Sequence, residues 1–292
     1  AAEVGNILNV TSGTGFTAGR YQVVSVLAAV ATMDRSVGTT GSTGGNGRRG
    51  GAVASIGDLS AAAVAGNKIY GKKTGNDTFA GAVTMPAGTA LLPIDLEGYV
   101  TTRGDTPSAA WADVHTAAGF IDAADCFVID AGANAFTIAT GWRFAGVSML
   151  ANRNGAVMVT ASTQNLIMHR CKMQNTNTGA SATCLTLSGT GSRISLTDSD
   201  YANISNSTRA VLGGTTGNFR MIHCRLTNAG TEGAFSIGAN AEPALIGNTV
   251  YDLSAGTGFI LTSTQYATVV GNTFYNCATC ISSSNADPTG IT

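Results

Sequence analysis

Three charged residues in the last third of the sequence have types and spacing that suit catalysis. Asp198 and Asp200 are two positions apart, so on one strand both side chains point to the same face. Arg225 matches Asp200 in the following sequence repeat, which would place it directly above that aspartate. Glycoside hydrolysis requires two carboxylates about 5 to 10 Å apart. The same residues equally make a surface ion pair. Because the chain has so few charges, we predict no catalytic site and no enzyme.

Other residues with metal-ligating side chains do not form a matching set. The aspartates lack the spacing of a dedicated calcium loop, two of the histidines fall in neighbouring columns of the repeat, and the single CxxC has no second pair. The residues concerned are Asp122, Asp125, Asp130, His115, His169, His223, Cys277 and Cys280. We therefore predict no metal site and no cofactor.

The segment that carries the three charged residues belongs to a repeat. The last two steps, from position 224 to 248 and from 248 to 272, are 24 residues each. Five aligned segments, which start at Asn165, Arg193, Asn218, Glu242 and Tyr266, read NLIMHRCKM, RISLTDSDY, NFRMIHCRL, EPALIGNTV and YATVVGNTF. Short alternating runs separated by Gly, Ser, Thr and Asn are typical of strands and turns. A short repeat of this kind predicts an all-β fold, a parallel β-helix whose coils stack about 4.8 Å apart.

Alignment of the coils predicts three columns of stacked side chains. Two are apolar: Met168, Leu196, Met221, Leu245 and Val269 in one, and Met173, Tyr201, Leu226, Val250 and Phe274 in the other. The third contains the small polar residues Cys171, Ser199, Cys224, Asn248 and Asn272. We predict that this third column is a structural ladder at an inward turn, where Asn amides hydrogen-bond along the stack. The alternative for the two asparagines is an ordinary turn position in the left-handed backbone region.

The sequence before the coils predicts an N-terminal β-rich attachment region, residues 1–55, ahead of a β-helix over 56–292 with regular coils from about 142. Alternation predicts strands at 7–11 and 20–26 and a hairpin strand at 29–34. The run 38–51, GTTGSTGGNGRRGG, predicts a flexible loop or extended arm. Its Arg48 and Arg49, with Arg20 and Tyr21, are candidate contacts to neighbouring subunits. A solvated linker is the alternative.

A single short helix is predicted at 58–65. Asp58 or Ser60 can cap it, the alanines that follow favour it, and Gly66 ends it. A helix of this length must pack against something. Its place just before the first coil suits a cap over the open end of the solenoid, where unpaired strand edges invite association.

Composition excludes several classes of protein. The 292 residues include 38 Gly and only 11% charged residues, and the net charge is −1. This balance gives no electrostatic footprint for nucleic acid or an anionic membrane. The longest apolar run, 23–33, is far shorter than a bilayer span, and no signal peptide is evident at the start. We expect the six cysteines to be reduced and mostly buried, as in proteins assembled in a cytoplasm.

Two groups of segments carry a resemblance to known families. The runs DLSAAAVAGNKIYGKKTG and TMPAGTALLPIDLEGYVTTRGDTP resemble the start of right-handed parallel β-helix proteins of the pectate-lyase-like class. The runs TSGTGFTAGRYQVVSV and VATMDRSVGTTGSTGGNGRRGGAVAS, with EGYVTTRGDTP, resemble structural proteins of tailed bacteriophages. The resemblance covers most of residues 6–108.

The resemblance implies a component of a phage particle, assembled in the host cytoplasm, such as a head decoration or a tail or spike protein. Its partners would then be other virion proteins and copies of itself, and the oligomer suggested by the resemblance is a trimer. A polysaccharide-degrading or receptor-binding tailspike that contacts a host surface glycan is the alternative. In that case Asp198, Asp200 and Arg225 would be the catalytic residues.

Overall fold

The computed structural model describes residues 7–28, 30–49, 55–73, 76–100, 126–152, 157–161, 165–177, 183–187, 192–203, 210–213, 217–228, 231–238, 241–262 and 267–284. The chain forms two compact units, residues 1–54 and 55–292. Nearly all of the regular structure in these ranges is β-strand. No helix in them is long and apolar enough to cross a membrane.

The first unit is an antiparallel sheet. Its strands are β1 (Ile7–Phe16), β2 (Gly19–Leu27), β3 (Val30–Met33) and β4 (Gly38–Arg49). They pair in the order β3-β2-β1-β4. Val10, Tyr21 and Val23 are buried, because alternation on β1 and β2 places them on one face. The predicted N-terminal β region is confirmed.

The glycine-rich run, predicted as a flexible loop or an extended arm, is extended but is not a flexible loop. It forms β4 and pairs with β1, with Asn9 opposite Arg48. The Phe16 ring occupies the space that side chains would fill at Gly13 and Gly45, where a Cβ would lie 2.7 Å and 2.8 Å from it. Glycine therefore suits this strand pair because the ring covers the backbone closely. The Thr11 hydroxyl also donates to the Asn46 carbonyl at 3.1 Å.

The second unit contains one helix and twenty-two strands in its described parts. In chain order these are α1 (Ile56–Ala62), β5 (Lys68–Lys72), β6 (Asn76–Thr78), β7 (Val83–Met85), β8 (Ile94–Tyr99), β9 (Phe127–Asp130), β10 (Phe136–Ile138), β11 (Trp142–Ala145), β12 (Val147–Ala151), β13 (Val157–Ala161), β14 (Leu166–His169), β15 (Lys172–Asn175), β16 (Thr183–Leu187), β17 (Ser192–Thr197), β18 (Asp200–Asn203), β19 (Val211–Gly213), β20 (Gly217–Ile222), β21 (Arg225–Asn228), β22 (Gly233–Ile237), β23 (Ala241–Ile246), β24 (Thr249–Leu261), β25 (Thr268–Val270) and β26 (Thr273–Ser283).

These strands stack into three parallel ladders. Ladder A is β5-β8-β11-β14-β17-β20-β23-β25, ladder B is β6-β9-β12-β15-β18-β21-β24, and ladder C is β7-β10-β13-β16-β19-β22-β24. The long strand β24 pairs with β21 of ladder B and with β22 of ladder C. The strand β26 in turn pairs with β24. Each coil contributes one strand to each ladder, so the predicted parallel β-helix is confirmed. Its in-register pairing begins at Lys68, which lies beside Asp95.

The two apolar columns lie inside the stack, as predicted. The column of Met168 runs in register through ladder A, and that of Met173 runs through ladder B. All members are buried except Phe274, which packs against the core. The ladders enclose Trp142, whose ring stacks on Phe144 at 5.2 Å and whose Nε1 donates to the Pro86 carbonyl at 2.7 Å. The core is therefore continuous from coil to coil.

The helix α1 covers one end of this core. Ile56 and Leu59 are buried in the same cluster as Val83 on β7, the terminal strand of ladder C. The predicted capping helix is confirmed, but its N-cap is Ser55 rather than Asp58 or Ser60. The Asp58 amide donates to the Ser55 hydroxyl at 3.0 Å. The helix begins at Ile56, earlier than predicted, because Ile56 and Leu59 then lie on one helical face and can both be buried.

Gly98 tests how tightly successive coils pack. A Cβ at this position on β8 would collide with the carbonyl oxygen of Gly146. We expect Gly98→Ala to lower the free energy of unfolding by about 1 to 3 kcal/mol, because the backbone of one coil would have to move. Gly81→Ala is the matched control, since a Cβ there meets nothing within 4 Å. Urea unfolding of both variants measures the difference, and equal stabilities would contradict this packing.

Candidate functional site

Asp200 and Arg225 lie side by side, but they are not on an open surface. They are register partners on β18 and β21, and the two residues are only 2% and 4% exposed. Lys172 is the register partner of Asp200 on the other side, on β15. The Arg225 guanidinium lies 4.2 Å from the centroid of the Tyr251 ring. Asp200 is therefore a buried carboxylate between two cationic positions of ladder B.

Asp198 does not share a strand with Asp200, so the predicted common face is wrong. Asp198 occupies the turn between β17 and β18 with a φ of 48°. Its carboxylate faces two imidazoles instead, with Oδ2 3.4 Å from His169 Nδ1 and Oδ1 3.6 Å from His223 Nδ1. Burial lowers the pKa of His169, which also contacts the Thr197 hydroxyl at 3.0 Å. The left-handed turn is the reason, because it rotates Asp198 out of the alternation of the strand.

The two aspartates therefore differ in environment and do not form a catalytic pair in this structure. Burial raises the pKa of Asp200, and nearby Arg225 and Lys172 only partly oppose this shift. Asp200 Oδ1 is buried without a hydrogen-bond partner. A carboxylate so enclosed has no access to a polymeric substrate, whereas Asp198 lies at a solvent-facing corner with a half-exposed imidazole on each side.

The raised pKa of Asp200 predicts a pH-dependent stability difference. The pKa of this carboxyl in the folded protein is higher than its unfolded value of 3.8. Between those two pKa values the unfolded chain loses its proton more readily than the folded protein, so the free energy of unfolding falls as pH rises, by at most about 1.4 kcal/mol per pH unit. We expect Asp200→Asn to be equally stable or more stable at neutral pH, with its advantage over the natural protein shrinking as pH falls towards 3.8.

Denaturant unfolding between pH 4 and 7 measures this difference. The control is Glu242→Gln, which removes one exposed carboxylate and should change stability by less than about 0.5 kcal/mol. An Asp200→Asn variant that is less stable at neutral pH would show that attraction to Arg225 and Lys172 exceeds the cost of burial.

The small polar column forms a hydrogen-bonded ladder at the turn between ladders A and B. The Cys171 amide donates to the Ser199 hydroxyl at 3.1 Å, and the Cys224 amide donates to Asn248 Oδ1 at 2.8 Å. The backbone amide of Asn248 in turn donates to Asn272 Oδ1 at 2.9 Å. The left-handed positions are the residues just before this column: Arg170, Asp198, His223, Gly247 and Gly271. The two asparagines themselves are therefore not the left-handed turn residues.

The cysteines are suited to packing rather than reaction. All six are free thiols, and Cys126, Cys171, Cys184 and Cys224 are buried. Burial raises the pKa of Cys171 and Cys184 to about 12, so these thiols are protonated at neutral pH. Within the described ranges, no group of three or more His, Cys, Asp or Glu side chains is arranged to hold a metal. His115, Asp122 and Asp125 lie outside those ranges.

The predicted attachment residues of the first unit have different surroundings. Tyr21 is buried, donates from its hydroxyl to the Thr17 carbonyl at 2.7 Å and lies under the Arg35 guanidinium. It is therefore a core residue and not a surface contact. Arg20 is exposed, and its carbonyl accepts a hydrogen bond from Arg35. Arg48 and Arg49 lie on β4 opposite β1, and their side chains lie outside the described part.

A groove on the outer face of ladder A was not predicted. It has a volume of about 560 Å³, and three of its lining residues are arginines. The lining residues are Thr89, Ala90, Pro93, Arg143, Asn165, Ile167, Arg193, Ile194, Ser195, Asn218 and Arg220. We call this the arginine groove. The segment 89–93, which precedes β8, forms one wall and is held by hydrogen bonds between Thr89 and Leu92.

Strand register explains why the arginines converge. Arg143, Ile167, Ser195 and Arg220 form one outward column across four strands, and Arg193 lies beside Asn218 in the next outward column. The repeat alignment contained this signal, because the outward positions follow from the same register as the inward ones.

Comparison of the chain with family models, curated proteins and solved structures gives no match.

The charges of the arginine groove are only weakly compensated. Arg143 Nε lies 4.0 Å from Asp95 Oδ1, at the limit of an ion pair. Among the described residues, neither Arg193 nor Arg220 makes an ion pair, and no carboxylate lines the groove. All three arginines are exposed. The groove therefore presents hydrogen-bond donors and positive charge to solvent on a rigid parallel sheet.

Proposed function

We propose that this protein is a non-enzymatic structural component of a bacteriophage particle, a head decoration or a tail or spike protein, with a rigid β-helical body attached through its N-terminal region. The observation that carries the proposal is the uninterrupted stack of ladder A, eight strands in register over a buried core. The sequence resemblance of residues 6–108 to phage structural proteins supports the particle as its location.

The body is suited to a mechanical role. Eight strands stacked at about 4.8 Å span roughly 34 Å between the first and the last. Every coil is bonded to its neighbours through three ladders, and the Asn248 and Asn272 side chains add bonds at the turns. Force along the stack is therefore shared among many parallel hydrogen bonds and buried side chains.

The first unit has features of an attachment region. Leu27 and Val30, at the turn between β2 and β3, are 82% and 67% exposed, and Val24 on β2 is also exposed. Exposed apolar side chains grouped in this way are typical of a surface that other chains cover. The proposed partners are other virion proteins and sister copies of this chain, with a trimer as the proposed oligomer.

A second candidate function is a spike that binds a host surface glycan, with or without degrading it. The arginine groove favours binding, because it offers cationic and amide side chains on an exposed face. Degradation would have to use acids from elsewhere, since Asp200 is buried and Asp198 lies apart from it. The described acids therefore support the structural role better than a glycan-degrading activity.

Immunogold labelling of purified phage particles with antibodies against this chain tests the proposal. We expect label at a fixed place on the particle and, in a cryo-EM map, density for the β-helix with residues 1–54 against neighbouring subunits. Absence of the chain from purified particles would overturn the proposal. Release of reducing or unsaturated ends from host polysaccharide by the purified protein would move the enzyme alternative ahead.

A further inference from the structure

We propose that the arginine groove is a binding site for an acidic glycan, an extended polysaccharide that carries carboxylates on its sugar units. The proposal rests on the second candidate function above, a glycan-binding spike, and names the class of glycan; it does not depend on the structural role. It is based on charge, spacing and side-chain chemistry at one face of ladder A.

The arginine groove concentrates positive charge. Arg143, Arg193 and Arg220 all line the groove without a carboxylate among them. In a chain with net charge −1 and only 16 basic residues, three exposed arginines in one groove are a local concentration of positive charge. The planar guanidinium donates two parallel hydrogen bonds to a carboxylate. Because Arg193 and Arg220 form no ion pair with other described residues, binding an anion breaks no existing pair at these two positions.

Spacing indicates an extended ligand with more than one charge. Arg220 pairs in register with Ser195, and Arg193 lies two residues before Ser195 on the neighbouring strand. The Cα atoms of these two arginines are therefore about 8 Å apart, from two residue rises and one strand spacing. Arg143 is three strands from Arg220, or about 14 Å. A chain with charges at regular intervals can contact all three arginines without drawing their side chains together, whereas a single small anion requires all three to converge on one point.

The other lining side chains favour sugars over nucleic acid. Asn165, Asn218, Ser195 and Thr89 supply amide and hydroxyl groups that can donate to and accept from sugar hydroxyls. No aromatic side chain lines the groove, so it lacks the stacking platform on which single-stranded bases are held. The stacked strands below keep these groups in fixed positions, which reduces the ordering cost of binding.

Titration calorimetry of the purified chain with oligosaccharides of polygalacturonate, alginate and hyaluronate tests the site, with neutral dextran as the ligand control. We expect at least one carboxylated glycan to bind, dextran not to bind, and added NaCl to weaken binding. Arg193→Ala/Arg220→Ala should weaken binding at least tenfold, whereas Arg193→Lys/Arg220→Lys should retain part of it because charge remains without the planar fork. Lys72→Ala, which removes an exposed cation of β5 outside the groove, should bind like the natural protein.

Several results would overturn the proposal: no binding of any carboxylated glycan, equal binding of dextran, an unchanged affinity in the double alanine variant, or tighter binding of an oligothymidylate. Thermal melting confirms that the variants are folded. If the double variant lost its melting transition, the single variants Arg193→Ala and Arg220→Ala would serve, each with an expected loss of at least threefold. Because calorimetry uses the isolated chain, its outcome is independent of whether immunogold labelling finds the protein on a particle.

Discussion

Replacing Asn248 with alanine is expected to lower the free energy of unfolding by about 3 kcal/mol. The Asn248 side chain is fully buried. Its Oδ1 accepts from the Cys224 amide at 2.8 Å, and its Nδ2 donates to the Met221 carbonyl at 2.9 Å. Alanine would leave the Cys224 amide buried without its partner, which costs about 1 to 3 kcal/mol, and would also remove the bond to the Met221 carbonyl, worth about 1 kcal/mol. Urea unfolding followed by circular dichroism measures the change.

Two further variants separate hydrogen bonding from packing. Asn248→Asp keeps the shape, but its carboxylate cannot donate to the Met221 carbonyl and repels Asn272 Oδ1, which lies 2.9 Å from Asn248 Nδ2. Because protonation removes that buried charge, the stability of this variant should recover as pH falls. Asn218→Ala, at an exposed position of β20, should change stability by less than about 0.5 kcal/mol. A loss below about 1 kcal/mol in Asn248→Ala would contradict the role of the ladder.

The loss of stability in Asn248→Ala should be greatest in the coils next to the substituted residue. In a solenoid each coil contacts only its neighbours, so a defect weakens the adjacent interfaces most. We expect hydrogen exchange in Asn248→Ala to rise in β20, β21 and β23 to β26 before it rises in β5 to β14. Uniform acceleration across all strands would indicate that the β-helix unfolds as a single cooperative unit.

The sequence predicted the interior of the β-helix well because parallel in-register stacking repeats one residue type at one position. Met168 and Leu196, or Asn248 and Asn272, could be matched from the alignment alone. The same alignment contained the turn that removed Asp198 from its strand. Gly247 and Gly271 fall in the column of Asp198, and glycine there marks a left-handed position.

Features that depend on parts of the chain outside the repeat were harder to predict. The strand β4 depends on pairing with β1 and on the Phe16 ring over Gly45, neither of which its own composition reveals. The burial of Asp200 could not be read from alternation, which places it on the outward side of β18. The arginine groove needs the wall formed at 89–93, a segment that belongs to no repeat. Periodicity thus predicts the scaffold, whereas irregular segments decide where a ligand can bind.

Replacing Phe235 with alanine should have an equally large effect, a loss of about 3 to 5 kcal/mol. Phe235 on β22 is fully buried. Its ring stacks on Phe219 of ladder A at 5.1 Å and meets the edge of Phe259 on β24 at 5.9 Å. The ring thus joins two ladders across the core, and its removal leaves a cavity that parallel strands fixed by register cannot collapse to fill.

Phe235→Leu should lose much less stability, because most of the side-chain volume remains. Tyr275→Ala, at a site that is 69% exposed, controls for loss of an aromatic ring as such. Calorimetric unfolding of the three variants decides the matter, because losses of similar size in Phe235→Ala and Tyr275→Ala would mean that this aromatic cluster does not hold the ladders together.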